Sequence, residues 1–245
     1  MKLLLNLIIL LFFYNCSELF TKSDNSEEQR NNAILGYLVI SQGGCTSQSA
    51  ASIGSTQRTE YTFTGSNCNT SSLPAIGFTG ENVSPGLIGT STASKLASSG
   101  SFTLSGEKKM NIEVTYTINS SSGYLDVVGN ASVSGSTATG PTFRIKSSTI
   151  SIITSGGVET AIGTGSPPSS PVGTEKTICL EFHEENGAHM FGWNSACSAI
   201  SNRSSYDFDQ EAVSTTNPGS SIGFILNNVT LKKIIVSKGA IGNAG

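Results

Sequence analysis

From Met110 to Ile118 every second residue is apolar (Met110, Ile112, Val114, Tyr116, Ile118), with Asn111, Glu113, Thr115 and Thr117 between them. A strand points successive side chains to opposite faces, so this register predicts an antiparallel strand with one face in the core and the other in water. The same period returns at Lys176–His183, with Ile178, Leu180 and Phe182 on one side and Cys179, Glu181 and His183 on the other. Glu184-Glu185-Asn186-Gly187 predicts a hairpin turn into a strand over Ala188–Asn194. Shorter β-rich runs predict strands at Ile34–Ile40, Arg58–Thr64, Tyr124–Gly129, Phe143–Ile145, Thr149–Ile153, Ile222–Leu226 and Val229–Val236. In the last of these Lys232-Lys233 interrupts the alternation, which predicts a bulge or an edge. Residues 65–100 are mostly Gly, Ser, Thr, Pro and Ala, anchored by Ile76, Phe78, Leu87 and Ile88, and predict a long loop region with one weak strand. Ser166–Pro171 predicts a stiff connector. No helix longer than two turns and no repeat of fixed period is indicated. The sum is an all-β chain, two packed antiparallel sheets in a jelly-roll sandwich.

One apolar run does not belong to that pattern. Leu3 to Phe13 follows the single basic residue Lys2 and precedes Tyr14-Asn15-Cys16. The run has the length of a secretory h-region and is shorter than the roughly 20 apolar residues of a membrane-crossing helix. Residues 1–16 resemble the signal peptides of bacterial lipoproteins, of the looser spirochaete type, with Phe13 and Asn15 where Leu and a small residue are usual. The resemblance implies that Cys16 is lipidated and becomes the new N-terminus, so that the mature protein is anchored to a membrane without spanning it. Three acyl chains give lasting attachment, because each buried methylene contributes about 0.8 kcal/mol and one chain alone holds only reversibly. The expected organisation is a leader over 1–15, a lipidated cysteine and polar flexible tether over 16–33, and one β-sandwich domain over 34–245. The expected location is the cell envelope, at the outer membrane.

Composition agrees with export. Charged residues make up 13% of the 245, and the formal net charge is −3, so losing Lys2 with the leader leaves −4. No basic cluster exceeds Lys108-Lys109 or Lys232-Lys233, which argues against a nucleic-acid partner. Of five cysteines, an even four remain once Cys16 is assigned to lipid: Cys45, Cys68, Cys179 and Cys197. Spacing alone allows three pairings. Cys45 with Cys68 and Cys179 with Cys197 is preferred, because each pair spans a short loop of the kind that joins neighbouring strands. No C-x-x-C spacing favours a metal instead, and export favours disulfides.

The stretches 101–154, Thr177–Trp193 and Gly223–Leu231 are similar in order to laminin G and concanavalin A-like sandwiches, with a long hairpin before a final strand. That likeness implies ligand binding on a sheet face or at rim loops, while fold by itself assigns no function. Candidate chemistry is sparse. Glu181 and Glu185 invite comparison with a glycosidase carboxyl pair, but their spacing and the hairpin position of Glu184 and Glu185 favour exposed charges over catalysis. His183 and His189 lack a defined third ligand for zinc. Asp207, Asp209 and Glu211, spaced by two, project three carboxylates to one side and are the calcium candidate, although no EF-hand glycine accompanies them. Trp193 and His189 are the candidate ligand-binding residues, Trp193 also fitting a core position beside a disulfide. The expectation is a non-enzymatic binding module for glycan or extracellular protein, needing no cofactor. A structural envelope lipoprotein without ligand and a carbohydrate-active enzyme are the alternatives.

Overall fold

The computed structural model describes residues 43–241, apart from 103, 105, 155, 186, 214–217 and 240. The leader, Cys16, the tether, the domain start at residue 34 and the strand predicted over Ile34–Ile40 lie outside the described residues. In chain order the strands are β1 (Thr46–Ile53), β2 (Thr56–Thr62), β3 (Phe78–Glu81), β4 (Val83–Ser84), β5 (Ile88–Gly89), β6 (Lys95–Ser98), β7 (Met110–Ile118), β8 (Tyr124–Ser134) and β9 (Thr137–Thr139). There follow β10 (Thr142–Lys146), β11 (Ile150–Ile153), β12 (Glu159–Ala161), β13 (Thr164–Gly165), β14 (Glu175–Glu184), β15 (Ala188–Trp193), β16 (Phe208–Val213), β17 (Ser221–Asn227) and β18 (Val229–Ser237). The remaining regular elements among the described residues are three short 3₁₀ turns, so no described helix is long and apolar enough to cross a membrane.

The strands form the expected two-sheet antiparallel sandwich. One sheet runs β1-β2-β18-β7-β14-β15-β16-β13, with β4 and β5 attached at β18. The other runs β12-β11-β10-β8-β17-β6-β3, with β9 on β8. The period-two residues Ile112, Val114, Tyr116, Ile178, Leu180 and Phe182 are all buried in the core between the sheets. Close approach of the sheets depends on glycine at Gly129 of β8, where a Cβ would sit 2.3 Å from the Phe182 ring of β14 in the opposite sheet; within one sheet, a Cβ at Gly192 would sit 2.0 Å from the ring of its cross-strand partner Phe208. Phe143 meets both phenylalanines edge to face, at centroid distances of 5.5 and 5.7 Å. Tyr116 is sealed in the same core with its hydroxyl 2.6 Å from Ser170 Oγ on the 166–174 connector. Burial pushes its phenol up to about 12.

Three sequence expectations need correction. Residues 65–100 hold four short strands, not one, and β3 and β6 pair with each other in the second sheet. Intrinsic propensity there is weak, and burial of Phe78, Leu87 and Leu96 decides the conformation. β16 and β1 are also strands that alternation did not reveal, β1 being Thr-Ser-Gln-Ser-Ala-Ala-Ser-Ile on the sheet edge. Most consequentially, β7 does not have a wet side: Asn111, Glu113 and Thr115 are buried, as are Cys179, Glu181 and His183 on β14. A second, smaller core lies on this outer face, made of Cys179, Phe191, Trp193, Cys197, Ile200 and Ile241. The segment after β15 and the chain end after β18 supply its cover. The anticipated irregularity at Lys232-Lys233 is a bulge, not an edge: the β18–β7 register shifts between Leu231 and Lys233, in mid-sheet.

Both preferred disulfides are present, Cys45–Cys68 and Cys179–Cys197. Cys179 lies directly across from Glu113 in the β14–β7 register. Glu113 Oε2 accepts from Arg58 Nη2 and from the Cys197 N–H, each at 2.9 Å. Arg58, 6% exposed, also donates to Ser237 Oγ at 3.3 Å and Ala51 O at 3.3 Å. One buried carboxylate therefore joins β2, β7 and β18 to the loop that covers the outer core. Arg58→Met leaves that charge sealed without its cation and is expected to lower unfolding stability by about 3 to 5 kcal/mol in urea titration. Arg58→Met/Glu113→Gln is expected to recover most of the loss, and equal losses in the two variants would contradict a charge-driven cost.

Candidate functional site

The outer face of β14, β15 and β16 collects nearly all the side chains singled out in the sequence. Cross-strand register places them in rows: Cys179 opposite Trp193, Glu181 opposite Phe191, and His183 opposite His189, with Asp209 continuing the Glu181–Phe191 row on β16. Trp193 is 2% exposed and belongs to the outer core, so it presents no face for stacking on a ligand. Its rim alternative is thereby removed.

Glu181 is fully buried, which corrects the reading of it as an exposed charge; Glu184 and Glu185 are exposed as expected. What keeps an anionic side chain there is Arg203, whose guanidinium forks onto both carboxylate oxygens, with Nε at 2.9 and 3.2 Å. His183 Nδ1 stands 3.3 Å from Glu181 Oε1. Burial raises the Glu181 carboxyl, but Arg203 and His183 together outweigh it and hold the group below the ordinary carboxylate value. Arg203 also lies over the Phe191 ring at 5.5 Å.

Phe191 is the pivot of an aromatic run. His183 stacks on it at 5.2 Å and 28°, and Tyr206 stacks on it at 4.9 Å and 23°. Tyr206 is 40% exposed and forms one wall of a groove of about 430 Å³ lined by Gly163, Thr164, Gly165, Asp207, Asp209, Gln210 and Glu211. Thus the three spaced carboxylates line one groove, carried by β16 and the residue before it, with Asp207 and Glu211 exposed and Asp209 buried. Two are already engaged: Asp207 Oδ2 accepts the Asn194 N–H at 2.7 Å, and Asp209 Oδ1 accepts the Thr164 hydroxyl. Calcium takes six to eight oxygens, so these residues alone do not complete a calcium shell.

Arg203, Phe191 and Tyr206 were not singled out in the sequence. Arg203 lies in a Ser/Asn-rich stretch with no pattern around it, and only the paired charge of a buried glutamate two strands away gives it meaning. A second unanticipated cluster sits on the other sheet, where Arg144 forks onto Asp126 at 2.7 Å through both Nε and Nη2 and covers the Tyr124 ring at 4.0 Å.

No protein-family model matches the chain, and no curated protein does. Among solved structures the chain is similar to the potassium-bound carbohydrate recognition domain of Emp46p, at 13% identity and TM-score 0.40, over 68% of this chain and 91% of that one. It is similar to the galectin LEC-6 of Caenorhabditis elegans at 13% identity and TM-score 0.33, over 55% of this chain and 86% of that one. It is also similar to the carbohydrate-binding module CBM66 of Bacillus subtilis at 12% identity and TM-score 0.35, over 68% and 94%. The sandwich itself stands on the strand order and register given above.

Arg203→Met should expose how far the site's framework depends on this pairing. It strands the Glu181 charge beside His183 alone and is expected to cost roughly 3 kcal/mol in chemical denaturation. A cost within about 0.5 kcal/mol, the range of an ordinary surface substitution, would mean that the fork is incidental.

Proposed function

We propose that this chain is a lipid-anchored envelope protein whose β-sandwich binds glycan in the groove beside Tyr206. The observation that carries the reading is the pairing of an exposed aromatic ring, braced from behind by Phe191, with the exposed carboxylates of Asp207 and Glu211 in the same groove. A sugar offers an apolar C–H face to a ring and hydroxyl donors to carboxylate and amide oxygens, so both halves of its surface are answered. The volume, about 430 Å³, falls within the range of small-ligand sites. A cavity of similar size near Ser148–Ser151 and Glu159 has no aromatic wall, and its Glu159 is occupied by Lys146 at 2.6 and 2.8 Å and by Ser151.

The reading is of a binder and not a hydrolase. Supporting this, Glu181 is buried and held by Arg203 while Glu185 is exposed at the hairpin turn, unlike the two accessible carboxyls that flank a sugar in a glycosidase. Anchoring rests on the leader-like residues 1–16 and on cysteine pairing, since Cys45, Cys68, Cys179 and Cys197 are joined to one another and Cys16 has no place in either bond. The location we assign is the outer membrane. A hard cation such as calcium, if bound at Asp207, Asp209 and Glu211, would complete its shell with water and sugar hydroxyls.

On a glycan array the full chain is expected to bind at least one glycan class, and Tyr206→Ala is expected to weaken that binding by at least about tenfold with an unchanged unfolding midpoint. An array silent for the wild type, or full binding by Tyr206→Ala, would refute the reading. Cys16→Ala is expected to abolish incorporation of a labelled fatty acid and to shift the protein out of the membrane fraction; a labelled variant would refute the anchor.

A further inference from the structure

On the hairpin of β14 and β15, next to the glycan groove but not part of it, three side chains converge with the donor set of a transition-metal site. His183 and His189 face each other across the strands with ring centroids 5.0 Å apart. Glu185 stands just past β14, and its Oε2 lies 3.6 Å from His183 Nε2. One donor atom from each of His183, Glu185 and His189 falls within 4.8 Å of the other two. We propose that these three residues bind a divalent zinc ion, with water in the fourth position.

Five features support this. Tetrahedral zinc with bond lengths of about 2.0–2.1 Å sets its ligands roughly 3.3 Å apart, so closure from donor separations within 4.8 Å asks for a movement of at most about 1.5 Å. The exposed Glu185, at a hairpin turn, is free to make that movement by rotamer change, while His183 is fixed in the sheet. His183 turns Nδ1 toward the buried Glu181 carboxylate and Nε2 toward Glu185, the arrangement in which a carboxylate orients a histidine ligand from behind. Arg203 neutralises Glu181, leaving it as a positioning residue and not a ligand. Phe191, stacked on His183, supplies an apolar wall on one side, and the half-buried His189 and exposed Glu185 leave the opposite side open to solvent. Two imidazoles and one carboxylate suit zinc better than calcium or magnesium, which prefer oxygen throughout.

The test uses the full chain in detergent, stripped with chelator and titrated with Zn²⁺, and with Co²⁺ as a spectroscopic stand-in. One Zn²⁺ per chain with a Kd of about 1 μM or tighter, and the intense visible bands of four-coordinate Co²⁺, are expected. His189→Ala should abolish stoichiometric binding and Glu185→Gln should weaken it by more than about tenfold, while Glu184→Gln, at the neighbouring carboxylate that pairs with Lys108, should leave it unchanged. Unfolding midpoints of the metal-free variants verify that loss of binding is not loss of fold. Glu181→Gln, which changes no ligand, should weaken binding about 10- to 100-fold and move the Co²⁺ bands. No stoichiometric binding by the wild type, equal binding by His189→Ala, or binding of Cu²⁺ or Ni²⁺ without Zn²⁺ would overturn the assignment.

Discussion

Glu113 is a carboxylate buried at the centre of a sheet, 4% exposed, and the outer half of the molecule is organised around keeping it satisfied. An isolated charge in that place would cost several kcal/mol, so it persists only because Arg58 and the Cys197 amide are held against it. Those two partners come from opposite directions: Arg58 from β2, across the intervening β18, and Cys197 from the loop beyond β15. The Cys179–Cys197 bond fixes the loop end at the same point, one strand over from the carboxylate. Charge satisfaction and covalent closure therefore specify the same loop position, and neither leaves it free to lift from the sheet.

Everything proposed for function sits downstream of that constraint. Once the segment from Asn194 to Tyr206 lies over the outer face, its Ile200 packs into the outer core with Trp193, and Arg203 reaches Glu181. Tyr206 comes to rest on Phe191, with the Asp207 carboxylate accepting the Asn194 N–H and the Asp207 amide donating to Gly192 O at 2.9 Å. The groove and the histidine pair are then two outlets of one supporting layer, Phe191 being shared by both. A rigid strand pair beneath and a pinned loop above are the conditions under which binding groups keep their geometry without a ligand.

Much of the inner architecture was legible because its physics is local. Alternation at β7 and β14 reports which residues face the core, the short Cys45–Cys68 and Cys179–Cys197 loops fit neighbouring strands, and paired lysines in a run of Ile and Val signal the bulge in β18. The outer core was not legible, because Glu113, Glu181 and Thr115 between apolar residues have the pattern of a solvated face. What buries them is a Ser- and Asn-rich loop whose path depends on long-range pairing, which periodicity does not carry. The carboxylates of Asp207, Asp209 and Glu211 were legible as a group, yet not the ring of Tyr206 beside them, since an isolated tyrosine gains significance only from Phe191 underneath. Likewise His183 and His189 looked like a pair without a third ligand until the hairpin brought Glu185 beside them and Glu181 behind.

Amide hydrogen exchange on the wild type and on Cys179→Ala/Cys197→Ala tests this dependence most directly. Loss of the covalent tie should speed exchange selectively across residues 194–207, while β8, β10 and β17 in the opposite sheet keep their protection. Unchanged protection of the loop, or uniform loss across both sheets, would contradict the claim that the outer layer is a separately fastened cover on which the proposed binding surface is built.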